Sequence, residues 1–265
     1  MTPASLSIEP DLDAGLHLMY ELKFDEARAQ LASWQRRHPA EPMGSALEAA
    51  AYLFEQFYRK GVLTSEFFLD DKRLLGGIED KPDPRLESAF LSVAGRSEEQ
   101  ARRRLAASPR DPDALLALTL VAGMRADNSS LIEKRQLQTM SLLREAERRA
   151  RDLLKVAPEA SDAYVAIGAA NYIVGCLPAY KRFFLRLGGV QGDRSLGMQQ
   201  LTLAAANGQY LRPFAELLLA LAALREMDAG LARREFMRLT GEFPTNPLFA
   251  RELSKLESGR SSGAP

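Results

Sequence analysis

Proline punctuates this chain at recurring corners, and no other feature constrains its fold as much. Pro39-Ala40-Glu41-Pro42, Pro109-Arg110-Asp111-Pro112 and Pro244-Thr245-Asn246-Pro247 share one spacing, and Pro158-Glu159-Ala160-Ser161 is a degenerate copy. Each follows an apolar–basic segment and precedes another apolar one. The first proline cannot continue a helix, so it marks a position just past a helix end. Asp111 or Asn246 then suits an N-cap, and Pro112 or Pro247 suits the first helical position, where no amide proton is needed. Corners of one kind at four places imply repetition of one helical unit.

Between the corners the apolar period is helical. Leu16, Met19 and Tyr20, then Ala27, Leu31 and Trp34, recur at three- and four-residue steps, with Asp25, Arg28 and Arg36 on the other face. Leu115, Leu116, Leu118 and Val121 repeat the pattern, as do Leu217, Leu218, Leu221 and Leu224. No alternating run bounded by hairpin turns suggests a strand. The expected helices cover 11–22, 25–37, 43–60, 64–75, 84–94, 98–107, 112–126, 131–156, 160–175, 178–187, 194–206, 211–226, 229–241 and 246–256. Gly95 is expected to close one helix, with Ser97 and Gln100 forming a capping box for the next. One helical domain over 11–257 results, with a flexible 1–10 and a disordered tail at 258–265 that is rich in Ser and Gly.

Gly15, Ala27 and Pro39 fall twelve residues apart, Ala232 and Phe236 precede Pro244, and Ala146 and Ala150 precede Pro158. Small residues at these places let two antiparallel helices approach within about 8–10 Å. This pattern resembles the tetratricopeptide-repeat superfamily over nearly the whole chain. The resemblance implies an all-α, right-handed superhelix of antiparallel helix hairpins. The closing prolines are 70, 49 and 86 residues apart, so the array is divergent. Extra segments lie at roughly 127–138 and 176–193. In the second, Leu187-Gly188-Gly189-Val190-Gln191-Gly192-Asp193-Arg194 runs into an apolar helix. That stretch resembles the tetratricopeptide-repeat protein 39 family and uncharacterised bacterial repeat proteins, often of the envelope. What it implies is an adaptor-like protein.

Composition closes several other routes. Lys plus Arg number 35 and Asp plus Glu 35, so no long-range pull toward nucleic acid is implied. The single cysteine, Cys176, leaves no internal disulfide and no thiolate cluster, and His17 and His38 lie outside a metal-binding motif, so neither metal nor cofactor is expected. The first fifteen residues carry Glu9, Asp11 and Asp13 and lack a basic and then apolar leader, which gives a cytoplasmic expectation. An envelope or periplasmic location is the alternative if an upstream signal has been removed. The uncharged run 163–180 contains Gly168, Asn171, Gly175 and Pro178 and reads as a buried repeat helix rather than a membrane span.

No arrangement of residues isolates a nucleophile with a base, so the expected function is non-catalytic: a scaffold for a protein or peptide partner. Two alternatives stand beside it, an envelope-associated scaffold contacting lipid or membrane proteins, and an anion or small-ligand site in the Gly188–Arg194 loop. That loop lacks the Gly-Lys-Ser/Thr ending of a phosphate loop, and it reads more simply as an inter-helix turn with Asp193 capping the next helix. Arg102, Arg103 and Arg104, and Arg148, Arg149 and Arg151, read as solvated helix faces, and Phe54, Phe57, Tyr58, Phe67 and Phe68 read mostly as core. By the repeat pattern, Leu16, Met19, Tyr20, Val165, Tyr172, Ile173, Leu221 and Arg225 point into a groove. The expected partner contacts are Tyr20, Asn171, Tyr172, Arg182, Arg186, Arg194 and Arg225, polar-tipped aromatics and arginines suited to interfaces.

Overall fold

The structure, a computed structural model, describes residues 8–177 and 192–261. Among these there are thirteen α-helices and no strand. They are α1 (Pro10–Tyr20), α2 (Phe24–Arg37), α3 (Pro42–Arg59), α4 (Ser65–Leu69), α5 (Asp71–Gly76), α6 (Pro84–Ala107) and α7 (Pro112–Asp127). A π-helical turn (Asn128–Ile132) separates α7 from α8 (Gln136–Val156). Then come α9 (Ala163–Cys176), α10 (Arg194–Asn207), α11 (Arg212–Arg225), α12 (Ala229–Glu242) and α13 (Pro247–Ser261). Five hairpins pair α1 with α2, α3 with α6, α7 with α8, α9 with α10 and α11 with α12. The first helices of successive hairpins also touch one another, making an inner layer of α1, α3, α7, α9 and α11 within a right-handed superhelix.

The proline corners fold as their chemistry dictates. Asp111 Oδ1 accepts the Ala114 N–H at 2.9 Å and Asn246 Oδ1 accepts that of Leu248 at 2.9 Å, with Pro112 and Pro247 opening their helices. Asp193 caps α10 through the Leu196 N–H at 3.0 Å. The degenerate corner works differently. Its helix begins at Ala163 rather than 160, and Ser161 turns back onto the Glu159 carbonyl. Arg104 is no solvated arginine: it pairs with Glu41 and with Asp111, which joins two corners. Arg102, Arg103, Arg148 and Arg151 do lie on exposed faces, each paired with a glutamate a turn away.

Three expected boundaries are replaced. Residues 84–107 form one helix, in which Gly95 causes no break. Ser97 is fully buried and donates to the Pro42 carbonyl at 2.9 Å, while Gln100 donates to that of Pro39 at 2.7 Å. Packing on the first corner outweighs the roughly 1 kcal/mol that an internal glycine costs. The 64–75 helix splits at Asp70, whose carboxylate caps α5 through Lys72 and Arg73. The 131–156 helix begins only at Gln136, after the π turn.

Close approach is enforced where the hairpins need it. A Cβ on Gly15 would lie 2.6 Å from the Leu31 side chain, and one on Gly197 would lie 2.6 Å from the backbone nitrogen of Tyr172. Phe54, Phe57, Phe67 and Phe68 join one core that runs from Leu12 to Phe249, and Tyr58 packs against it half-buried. This core closes the inner layer on itself. Phe54 of α3 meets Phe214 of α11 at 6.4 Å between ring centroids, and Tyr20 lies against both Phe54 and Phe243. No helix among the described residues is long and apolar enough to cross a membrane; α9, within the uncharged run, is a 14-residue repeat helix. The helix 178–187 expected from the sequence lies outside the described residues.

Candidate functional site

The C-terminal ends of α9 and α11 lie side by side, and the segment after α3 crosses to them, making one edge of the inner layer. Three of the segments that join an inner helix to its partner are long: 60–83, 128–135 and 177–193, the last described only at its two ends. The first carries α4 and α5, and α4 crosses to pack against α11, while Ile78 donates its N–H to the Leu131 carbonyl of the π turn at 2.8 Å. The third leaves α9 at Leu177 and returns at Gly192, which packs on Gly175 so tightly that a Cβ would lie 2.5 Å from its nitrogen.

Four of the seven sequence-derived contact residues meet on this edge. Tyr172 of α9 is buried, with its hydroxyl 3.0 Å from Glu226 Oε1 and 3.2 Å from the Ala222 carbonyl. Arg194, at the start of α10, reaches the same Glu226 oxygen at 3.2 Å and the Gly175 carbonyl at 3.3 Å. Arg225 donates to the Phe68 carbonyl at 2.9 Å and pairs with Asp71. Asn171 is tied to Gln200 at 2.9 Å, across the α9–α10 seam. The Phe68 ring stacks on Tyr172 at 6.3 Å with 11° between planes. Cys176 lies beside both the Tyr172 hydroxyl and Arg225.

The electrostatics follow from burial and these partners. Burial first, then Cys176 and Glu226, push the Tyr172 phenol well above its ordinary value. Arg194 is held cationic chiefly by its hydrogen bond to Glu226. Burial alone would lower Arg225, but Asp71 and Cys176 more than offset it and raise it. Each arginine is thus a fixed cation with its donors directed at a carboxylate and a carbonyl. Such an arrangement can grip acidic side chains and exposed backbone carbonyls, as it does here with Glu226, Asp71 and Phe68.

The remaining expected contacts fall elsewhere. Tyr20 is 2% exposed, its hydroxyl meets the backbone of Phe214, and the inner positions Leu16, Met19, Val165 and Leu221 are buried too. All of these side chains are enclosed by the chain itself, Val165 in the cluster between α9, α10 and α11, so none of them lines an open groove. Arg182 and Arg186 lie outside the described residues, as does the Gly188-Gly189 pair. Phe68, Asp71 and Glu226 are contacts that the sequence pattern does not single out. Phe68 reads as core, which it is, and nothing in the spacing of Asp71 or Glu226 ties them to arginines 154 and 32 residues away.

No family model matches the chain, and no curated protein matches it. Among solved structures, a thermophilic tetratricopeptide-repeat protein of Thermus thermophilus superposes with a TM-score of 0.51 at 14% identity, covering 93% of this chain and 96% of the other. A tetratricopeptide-like helical-repeat fold is therefore shared over most of the chain, at a sequence distance where fold alone is conveyed.

Proposed function

We propose that the chain is a non-catalytic helical-repeat scaffold that mediates protein–protein or protein–peptide interaction. The observation that carries this reading is the arginine edge. Arg225, at the end of an inner helix, and Arg194, at the start of the partner helix α10, are immobilised cations beside a stacked aromatic pair, at the edge of the layer that tetratricopeptide folds present to partners. The adaptor-like expectation from the resemblance to the tetratricopeptide-repeat protein 39 family agrees with it. The proposed contacts are Asn171, Tyr172, Arg194 and Arg225, with Arg182 and Arg186 of the intervening segment; Tyr172 is as enclosed as Tyr20, but the ring over it is Phe68 of the α4–α5 excursion, whereas Tyr20 is walled in by Phe54 and Phe243 of the core and is left out. In support of a non-catalytic role, His17 lies tilted against Phe243 and His38 against Trp34, so both imidazoles are engaged in packing.

Affinity capture on the purified chain, read by quantitative mass spectrometry and repeated with Arg194→Ala, tests this. A partner that binds saturably and is lost in the variant supports the scaffold. A chain that captures no saturable partner, or that turns over a substrate in a broad activity screen, refutes it.

A further inference from the structure

The α4–α5 segment sits where a partner would sit, and its chemistry is that of a ligand. Thr64-Ser65-Glu66-Phe67-Phe68-Leu69-Asp70-Asp71 is a short acidic segment with two adjacent aromatics at its centre. It leaves α3 through Gly61 and returns through Gly77, both at positive φ (67° and 75°), where a residue with a side chain is strained. Its ring stacks on Tyr172, its Phe68 carbonyl and Asp71 carboxylate are both held by Arg225, and its Glu66 pairs with Lys255 of α13. Aromatic anchor, gripped backbone carbonyl and flanking carboxylates held by cations are the contacts by which a short acidic helical peptide is recognised.

Resting on the scaffold reading above, we propose that α4–α5 is an in-chain occupant of a peptide site, and that the site formed by Tyr172, Arg225 and Lys255 takes an acidic–aromatic partner segment in its place. The site is closed in this conformation because the occupant is tethered. A short tether gives an effective concentration on the order of millimolar, which a free peptide must overcome. The polar hold of the occupant on α11 and α13 is one carbonyl bond and two ion pairs whose carboxylates are largely solvated, Asp71 at 69% and Glu66 at 56% side-chain exposure; Phe67 and Phe68 are buried in the core, so local release requires both rings to leave and a partner's aromatics to take their place. A partner with the same central aromatics and better-placed carboxylates would displace it, and binding would be reduced by the fraction of chains in which the site is closed.

The probe is a fluorescein-labelled peptide copying residues 64–71, with a permuted peptide of the same composition as control, read by anisotropy against the full chain. In Glu66→Ala/Asp71→Ala the in-chain copy loses both ion pairs while the site keeps its cations, so the apparent Kd of the copied peptide is expected to fall about ten-fold from that of the unaltered chain. Adding Arg225→Ala to that background should abolish binding. Hydrogen exchange on the unaltered chain gives a second reading: amides of 64–76 should open sub-globally, ahead of those in the centre of α11. Exchange of 64–76 only with α11, or no preference of Glu66→Ala/Asp71→Ala for the copied over the permuted peptide, overturns the proposal. If that variant does not fold, the exchange result on the unaltered chain decides alone. Capture of a saturable partner alongside either negative result would leave the scaffold reading standing and remove only the in-chain occupant.

Discussion

The side-chain amide of Asn246 donates to the carbonyl of Tyr20 at 2.6 Å, tying the last proline corner to the end of the first inner helix. The same side chain caps α13 through Leu248, so one residue 1% exposed both starts the final helix and closes the inner layer. Asn246→Ala should cost about 2–3 kcal/mol, roughly 1 from the lost cap and the rest from an unpaired buried carbonyl. Asn246→Asp keeps the cap and turns an acceptor toward that carbonyl, so at neutral pH it should be no less damaging than Asn246→Ala. Urea unfolding of the three proteins checks the order. A mild Asn246→Asp would mean that the contact with Tyr20 contributes little.

Glycines at helix interiors should split into two classes. Gly197→Ala would place a Cβ 2.6 Å from the backbone nitrogen of Tyr172 and 2.8 Å from the Gly168 carbonyl, neither of which can move without separating α9 from α10. A loss of about 3 kcal/mol or more is expected. Gly95→Ala meets nothing closer than an Arg125 nitrogen at 3.8 Å, in the middle of α6, and should gain about 0.5–1 kcal/mol. Thermal midpoints moving in opposite directions for the two variants would confirm the distinction; a destabilising Gly95→Ala would contradict it.

The contrast shows what the sequence could convey. Corner geometry is local, because a proline that ends a helix and an aspartate that caps the next need no distant partner. That is why Pro112 and Pro247 open helices as expected. Gly95 misleads because its helix is held by Ser97 and Gln100 bonding to a corner 55 and 61 residues away, which outweighs local propensity. The arginine edge is half legible. Tyr172, Arg194 and Arg225 can be chosen by residue type and repeat position, but Phe68 and Asp71 reach Arg225 only because the excursion after α3 crosses to α11. Nothing in the spacing of residues 60–83 encodes that crossing. The closure of the inner layer is illegible for the same reason: the repeat pattern fixes which way Tyr20 faces, not what occupies the space it faces.

Asp127 supplies a pH dependence. It ends α7 at the π turn, and burial, with no compensating cation, pushes its carboxyl up to about 7. Between the ordinary aspartate value and 7 the folded chain holds a proton that the unfolded chain has released. Folding is therefore favoured at low pH, and this contribution is lost as pH rises toward 7, by at most about 1.4 kcal/mol per unit. Above 7 it levels off. Asp127→Asn removes the titration, so the variant should match the unaltered chain near pH 4 and exceed it in stability at pH 8. Parallel slopes for the two proteins between pH 5 and 8 would exclude Asp127 as the source.

Asp162 shows how the degenerate corner compensates for its missing cap. Its carboxylate, in a residue 1% exposed, does not cap its own helix; it accepts the Leu211 N–H at 2.7 Å and that of Gln209 at 3.1 Å, with Tyr210 adding a third. It thereby shapes the turn that leads into α11, two hairpin helices further on. Burial raises its pKa and these backbone donors oppose the rise without cancelling it. Asp162→Ala would strand three donors in the interior and should cost about 3 kcal/mol or more. Asp162→Asn retains one acceptor oxygen but brings its own N–H group toward the same donors, and should recover only a minor part of that loss. Ser161→Ala, by contrast, removes only a turn bond to the Glu159 carbonyl at 3.4 Å and should cost under about 1 kcal/mol. Unfolding free energies ranked in that order would establish that the corner is held by Asp162 gripping the 209–211 backbone, and equal losses at 161 and 162 would show that it is not.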